Sequence, residues 1–147
     1  MKAIILSAGQ GRRLLPLTEQ VPKCMLDVYG RSVLEWQLRE LAKGGITDVT
    51  VVVGFGAEYV EAFLTTQTII PQVRTVYNPL FSLADNLVTC WVARSAMDGE
   101  FVLINGDTVF EASVLTRALQ TPARPITMMT DQKDTYDDDD MKLILKG

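Results

Sequence analysis

The residues with the clearest chemical potential lie together near the start of the chain: Leu6-Ser7-Ala8-Gly9-Gln10-Gly11-Arg12-Arg13-Leu14-Leu15-Pro16-Leu17-Thr18, then Pro22-Lys23. Two glycines two positions apart let a backbone turn sharply and bring its amides close to an oxyanion, as a concave nest of N–H groups does. Arg13 adds a bidentate fork for phosphate, and Lys23 a mobile point charge for a second one. Together they would hold a polyphosphate and neutralise charge that builds on it. The competing reading is a plain glycine turn with solvated basic residues, and Gly-x-Gly alone is too short and common to exclude it. Two other phosphate loops fit poorly. A P-loop needs Gly-Lys-Ser/Thr, and Arg12 follows Gly11. A dinucleotide loop wants a third glycine where Arg13 stands and a helix opening at once, whereas Pro16 and Pro22 keep this segment irregular.

Composition narrows the remaining chemistry. The chain of 147 residues contains no histidine, so Ser-His-Asp and Cys-His catalysis and His-ligated zinc are excluded. Reaction chemistry is left to Asp, Lys, Arg and backbone amides, with or without a metal. Cys24 and Cys90 form no CxxC, and so few cysteines fit a reducing, cytoplasmic compartment better than a disulfide framework. The apolar fraction of 48 % excludes disorder, and the lack of a long uncharged stretch argues against a membrane span. The opening run reads as a first strand and not as a secretion signal. The net charge of −4 hides an asymmetry, because residues 131–140 hold six acids and one lysine while the first 31 residues are net basic. A small basic region favours an anionic small molecule over nucleic acid, which needs a larger basic surface.

The elements that would position these residues alternate. Apolar runs at Lys2–Ser7, Val49–Gly54, Val73–Tyr77, Phe101–Asn105 and Ile126–Thr130 read as five strands, continuous in the way of strands covered on both faces. Helices are expected over Ser32–Lys43, with Ser32 and Glu35 as a capping box and Gly44-Gly45 as the stop. Others are expected at Glu58–Leu64, at Asn86–Met97 (apolar on most sides, hence buried), and at Glu111–Leu119. Alternating strands and helices predict a mostly parallel, doubly wound α/β sheet, whose ligand sits beyond the carboxyl ends of the strands. The loops after Ser7 and after Asn105 end there.

The stretch Leu6–Thr18 with Pro22-Lys23 resembles, at every fixed position, the N-terminal signature of the sugar-phosphate nucleotidylyltransferase superfamily, L-[SA]-A-G-x-G-x-R-L-x-P-x-T followed by P-K. The resemblance implies the three-layer α/β/α, Rossmann-like fold of the nucleotide-diphospho-sugar transferases. It covers residues 1–147 as one NTP-transferase domain, the N-terminal nucleotide-binding portion of that fold. It implies that Gly9, Gly11 and Arg13, with Arg12 beside them, form the triphosphate loop. Lys23 would contact phosphate in the reaction centre, and the backbone of Leu6, Ser7 and Ala8 would meet the nucleobase. Asn105-Gly106-Asp107 resembles the family's metal-binding Gly-Asp, with Asp107 holding Mg²⁺ and Gly106 beside the nucleotide. Taken alone, Asn-Gly-Asp is also good turn chemistry.

Tyr77-Asn78-Pro79-Leu80-Phe81-Ser82, Asp85-Asn86 and Asp139-Asp140-Met141-Lys142 resemble the bacterial CTP:phosphocholine cytidylyltransferase branch. That resemblance assigns Asn86 to the base pocket, and Asp85 and Lys142 to the acceptor. Asp85 and Asn86 serve equally well as a helix cap and a helix start. The acids Asp137–Asp140 read first as a solvated loop, and Tyr136 or Trp91 as a cation–π face for choline or as packing. Family catalytic domains run longer than this chain, and their later metal-binding Asp has no assignable counterpart here. The implied activity is Mg²⁺-dependent transfer of NMP from an NTP, CTP by preference, to a phosphomonoester such as phosphocholine. A sugar 1-phosphate acceptor, or nucleotide binding without turnover, are the alternatives. The implied partners are the NTP and a phosphorylated small molecule, with no nucleic acid and no membrane, and with a homo-oligomer left open.

Overall fold

The computed structural model describes residues 1–83, 86–122, 124–136 and 143. The opening apolar run is β1 (Lys2–Leu6), buried throughout after Lys2. Two single 3-10 turns (Arg12–Leu14 and Lys23–Met25) follow, then a hairpin of β2 (Asp27–Val28) and β3 (Arg31–Ser32). Sequence periodicity gave no sign of this hairpin. Tyr29 and Gly30 turn it at positive φ, and the Asp27 carboxylate accepts the Gly30 N–H at 3.0 Å. Helix α1 (Val33–Lys43) starts where Ser32 Oγ accepts the Glu35 N–H at 3.1 Å, and stops at Gly44 with Gly45 in the left-handed region. The Glu35 carboxylate pairs with Arg31 and Arg39. The remaining elements are β4 (Asp48–Val53), α2 (Ala57–Thr66), β5 (Gln72–Tyr77), α3 (Asn86–Val92) continued by a 3-10 turn, β6 (Phe101–Asn105) and α4 (Ala112–Gln120).

Four strands form one wholly parallel sheet in the order β5-β4-β1-β6. Successive side chains of β1 leave on opposite faces, as strand geometry requires. Ala3 and Ile5 pack with Leu34, Leu38 and Leu41 of α1, Val60 of α2 and Leu115 of α4. Ile4 and Leu6 join Val52 and Ala93 on the other face. Each fully buried Leu, Ile or Val contributes about 1.5–3 kcal/mol, so β1 and β4 carry the central stabilisation. The chain steps outward from β1 to β4 to β5, then crosses back to β6 on the far side of β1. The reversal point therefore lies between the carboxyl ends of β1 and β6, where ligands of open α/β sheets bind.

Three expectations need correction. Ile126–Thr130 forms no strand: Ile126 is 79 % exposed and the segment pairs with no described strand. Its apolar residues have no partner ladder, and composition without a partner does not make a strand. The helix expected over Asn86–Met97 ends at Val92 and is not buried, since only Thr89 and Ala93 are fully covered while Leu87 and Trp91 face outward. Leu103 of β6 is likewise 45 % exposed, because β6 is an outer strand and α3 packs over β1.

Candidate functional site

At the reversal point the two loops touch. The Gly106 N–H donates to Leu6 O at 2.8 Å. A Cβ on Gly106 would lie 2.3 Å from Ser7 Oγ and 2.6 Å from Leu6 O, so only glycine allows this approach. Leu6, Ser7 and Ala8 are all buried. Ser7 N–H extends the ladder to Val52 O, and Ala8 O accepts from Phe55 N–H, so these three residues anchor the loop's root. Ser7 Oγ itself has no hydrogen-bond partner of good geometry. Burial pushes the adjacent Cys24 thiol up to about 11, with the Ser7 hydroxyl and the Cys24 backbone pulling the other way.

The two glycines of the loop differ in kind. Gly11 is left-handed (φ 78, ψ 48), and a Cβ there would meet Lys23 Cβ at 2.9 Å. Gly9 has no positive φ and nothing within 4 Å of its would-be Cβ. Its place is open space, and the sharp turn is made by Gly11 alone. Thr18, fully buried, clips the loop shut by donating to Gly11 O at 2.9 Å, while Gln10 Nε2 reaches Thr18 O at 3.1 Å. Arg12 and Arg13 are both exposed on the 3-10 turn that Gly11 starts.

Lys23, whose stem lies against Gly11, extends to Asp107 with Nζ 2.7 Å from Oδ2. Gly11, Lys23 and Asp107 thus form one continuous set, joining the loop after β1 to the loop after β6. With side chains 33 % and 44 % exposed, the ion pair is screened by water and worth at most about 1 kcal/mol. A charge-assisted bond to phosphate, about 1.5–3 kcal/mol, is enough to take Lys23 away from it.

Beside this set, Gln10 and Arg12 face Phe81 and Ser82 across a concavity of about 250 Å³. Phe81 comes this close because Gly54 has no side chain: a Cβ there would meet Phe81 Cβ at 2.5 Å and Ala8 O at 2.6 Å. The segment after β5 is held by buried Asn78, which donates to Thr89 Oγ1 at 3.1 Å and accepts from Leu80 N–H at 2.9 Å. Asn86 is also brought to the site, its amide 3.3 Å from Asn105 Oδ1 and next to Gly106. Trp91 is exposed, but Arg94 lies over its ring at 4.6 Å, so the chain's own cation takes that π face. Tyr136 is exposed in an irregular segment and its hydroxyl accepts from Lys133 N–H. Asp85, Lys142 and the run Asp137–Asp140 lie outside the described residues.

Sequence reasoning missed the support beneath the Asp107 loop. Buried Gln37 of α1 donates to Asn105 O at 2.8 Å and to Thr108 O at 2.7 Å, leaving Oε1 without a partner. Such an unmet acceptor costs about 1–3 kcal/mol. Glu40, one turn on, accepts the Ala112 N–H at 2.8 Å and pairs with Lys43. Lys43, then that N–H, holds its carboxyl below the usual 4.5. The available signal was a glutamine amid Leu34, Leu38 and Leu41 on the apolar stripe.

Among the described residues no cluster of three or more carboxylates or cysteines could enclose a metal. Among the described residues Asp107 would therefore serve a divalent cation as a single carboxylate, with ligand oxygens and waters supplying the rest. The Lys23 ammonium at 2.7 Å shows that this carboxylate accepts a cation from the side of the glycine turn. Among the described residues, no helix is long and apolar enough to cross a membrane.

Comparison with known proteins identifies the fold and the family. The chain is 34 % identical over 83 % of its length to CMP-5'-(3-aminopropyl)phosphonate synthase of Streptomyces rubellomurinus, of which it covers 19 %. It is 33 % identical over 82 % of its length to N-acetylmuramate alpha-1-phosphate uridylyltransferase of Neisseria meningitidis, of which it covers 52 %. The structure of CTP:phosphocholine cytidylyltransferase from Streptococcus pneumoniae superposes with a TM-score of 0.65 at 29 % identity, over 76 % of this chain and 49 % of that one. The chain thus spans between a fifth and about half the length of these relatives. The parallel sheet with helices on both faces is the fold of these transferases. The Nucleotidyl transferase family profile matches residues 2–134, and the chain belongs to that family.

Proposed function

We propose that this chain carries the nucleotide-binding part of a nucleotidyltransferase that moves an NMP group from an NTP to a phosphomonoester and releases pyrophosphate. CTP and a phosphocholine-like acceptor are the favoured pair. The acceptor phosphate oxygen attacks the α-phosphorus in line; the new P–O bond forms as the bond to the pyrophosphate oxygen breaks. A phosphomonoester is largely ionised at pH 7, so no general base and no covalent intermediate are required. Positioning and charge neutralisation supply the acceleration.

The observation that carries this reading is the Gly11–Lys23–Asp107 set at the sheet's reversal point. Arg13 and the amides of the open turn at Gly9–Arg12 hold the β- and γ-phosphates. Lys23, released from Asp107, stabilises the transferring phosphate. Asp107 holds Mg²⁺, which when bound offsets negative charge on the phosphate oxygens. Cytidylyl transfer is supported by the Streptomyces and Streptococcus relatives, and a sugar 1-phosphate acceptor, the second reading, by the Neisseria one.

Pyrophosphate release is the test, with CTP and UTP each offered phosphocholine and sugar 1-phosphates. CTP with phosphocholine is expected to be fastest, and Lys23→Ala and Asp107→Ala to lose roughly 10²–10³ in rate. Unchanged rates in both variants would remove the residue assignments. Nucleotide-dependent thermal stabilisation without any pyrophosphate would make the chain a binding module.

A further inference from the structure

Gln37 is 1 % exposed on the inward face of α1, among leucines. Both of its contacts, Asn105 O and Thr108 O, are carbonyl acceptors, so chemistry alone decides that the nitrogen faces them. Those residues are the first and fourth of a turn closed by Thr108 N–H to Asn105 O at 3.2 Å, and Asp107 is its third. One nitrogen therefore spans both ends of the four-residue turn that carries the carboxylate. Glu40, three residues along the same face, grips the Ala112 N–H where the chain enters α4. Together they bracket residues 105–112 from below. An amide that leaves its own buried oxygen unpartnered is a poor choice for stability alone. What it achieves is a fixed backbone under Asp107.

We propose that Gln37 is a positioning residue for Asp107. It sets the turn so that the carboxylate points toward Lys23 and, in the loaded protein, toward a divalent cation on the polyphosphate. This rests on the role proposed above for Asp107, and the test separates the two.

The full chain is compared as wild type, Gln37→Met and Asp107→Asn. Mn²⁺ binding in the presence of CTP is read by electron paramagnetic resonance, and amide hydrogen exchange is followed at residues 105–109. Gln37→Met is expected to weaken Mn²⁺ binding roughly 10- to 100-fold, as loss of groups that orient a metal ligand does. Its turn amides should exchange at least about tenfold faster while β1 and β4 stay protected. A folded Gln37→Met with unchanged Mn²⁺ affinity and unchanged exchange overturns the proposal. If Asp107→Asn leaves Mn²⁺ binding untouched, the metal role has failed, and exchange at the turn alone decides Gln37. Should Gln37→Met not fold, Gln37→Glu replaces it: a protonated acid still donates one hydrogen bond and an ionised one none. Its turn exchange, relative to wild type, should then climb between about pH 5 and about pH 8. A ratio independent of pH overturns the proposal.

Discussion

Replacing Gly11 by alanine tests whether the loop after β1 is a shaped anion cradle or a plain bend. The left-handed backbone (φ 78) charges any L side chain about 1–2 kcal/mol. The new Cβ also meets Lys23 Cβ at 2.9 Å, and a stem atom bound to the backbone cannot swing away as a flexible end could. Overpacking of this kind costs about 1–3 kcal/mol, so the sum is roughly 2–5 kcal/mol. For a chain of this size each kcal/mol moves the melting temperature by about 2–4 °C, which gives a drop of about 4–20 °C. Gly9→Ala is the internal control, for it has no positive φ and open space around it, and its melting temperature should stay within about 2 °C of wild type. Only its stability serves as control, because the open space is where phosphate would lie. Circular dichroism melts without nucleotide, then with CTP and Mg²⁺, make the measurement. Gly11→Ala should lose both stability and the nucleotide-induced rise. If the two alanines melt alike without nucleotide, or Gly9→Ala is the less stable, the account of this loop is wrong.

Gly106→Ala should be among the most damaging single changes, because its Cβ would press on Leu6 O and on Ser7, fixed parts of β1 and its exit. A loss of about 3 kcal/mol or more in urea unfolding is expected, and a loss under about 1 kcal/mol would show that the loops do not touch. Glu40 titrates below its ordinary 4.5 in the folded chain, so the unfolded chain takes up its proton first as pH falls. Wild type should therefore lose stability on acidification below about pH 4.5, and Glu40→Gln should show a flatter profile in urea midpoints over that range. Cys24 has the opposite sense. Its thiol, raised from 9.0 to about 11, keeps its proton while the unfolded chain loses it. Stability should fall with rising pH between those values, and Cys24→Ala should remove that component from the alkaline melting curve.

Much of the positioning framework was legible because it depends on local pattern. Continuous apolar runs located β1, β4 and β6, and the turn residues after them marked the two loops that meet. The hairpin at Asp27–Ser32 was not legible, since two-residue strands have no period to detect. Ile126–Thr130 misled for the converse reason: strand-like composition becomes a strand only beside a free neighbour. Gly9 and Gly11 look equivalent in sequence, and only backbone geometry separates them. The Lys23–Asp107 pair joins residues 84 positions apart, and Gln37 meets Thr108 across 71, distances no local pattern reports. Asn86 was singled out by resemblance, and its approach to Asn105 follows from the crossover that returns the chain to β6.

The most direct test of the whole account is a titration of the isotope-labelled chain with CTP and Mg²⁺, followed through its backbone amide chemical shifts. The amides of residues 9–14, Lys23, Gly106 and Asp107 should move together and saturate at one concentration. Movement confined instead to the separate groove lined by Tyr29, Trp36 and Phe110, with the Gly11 turn unaffected, would contradict it.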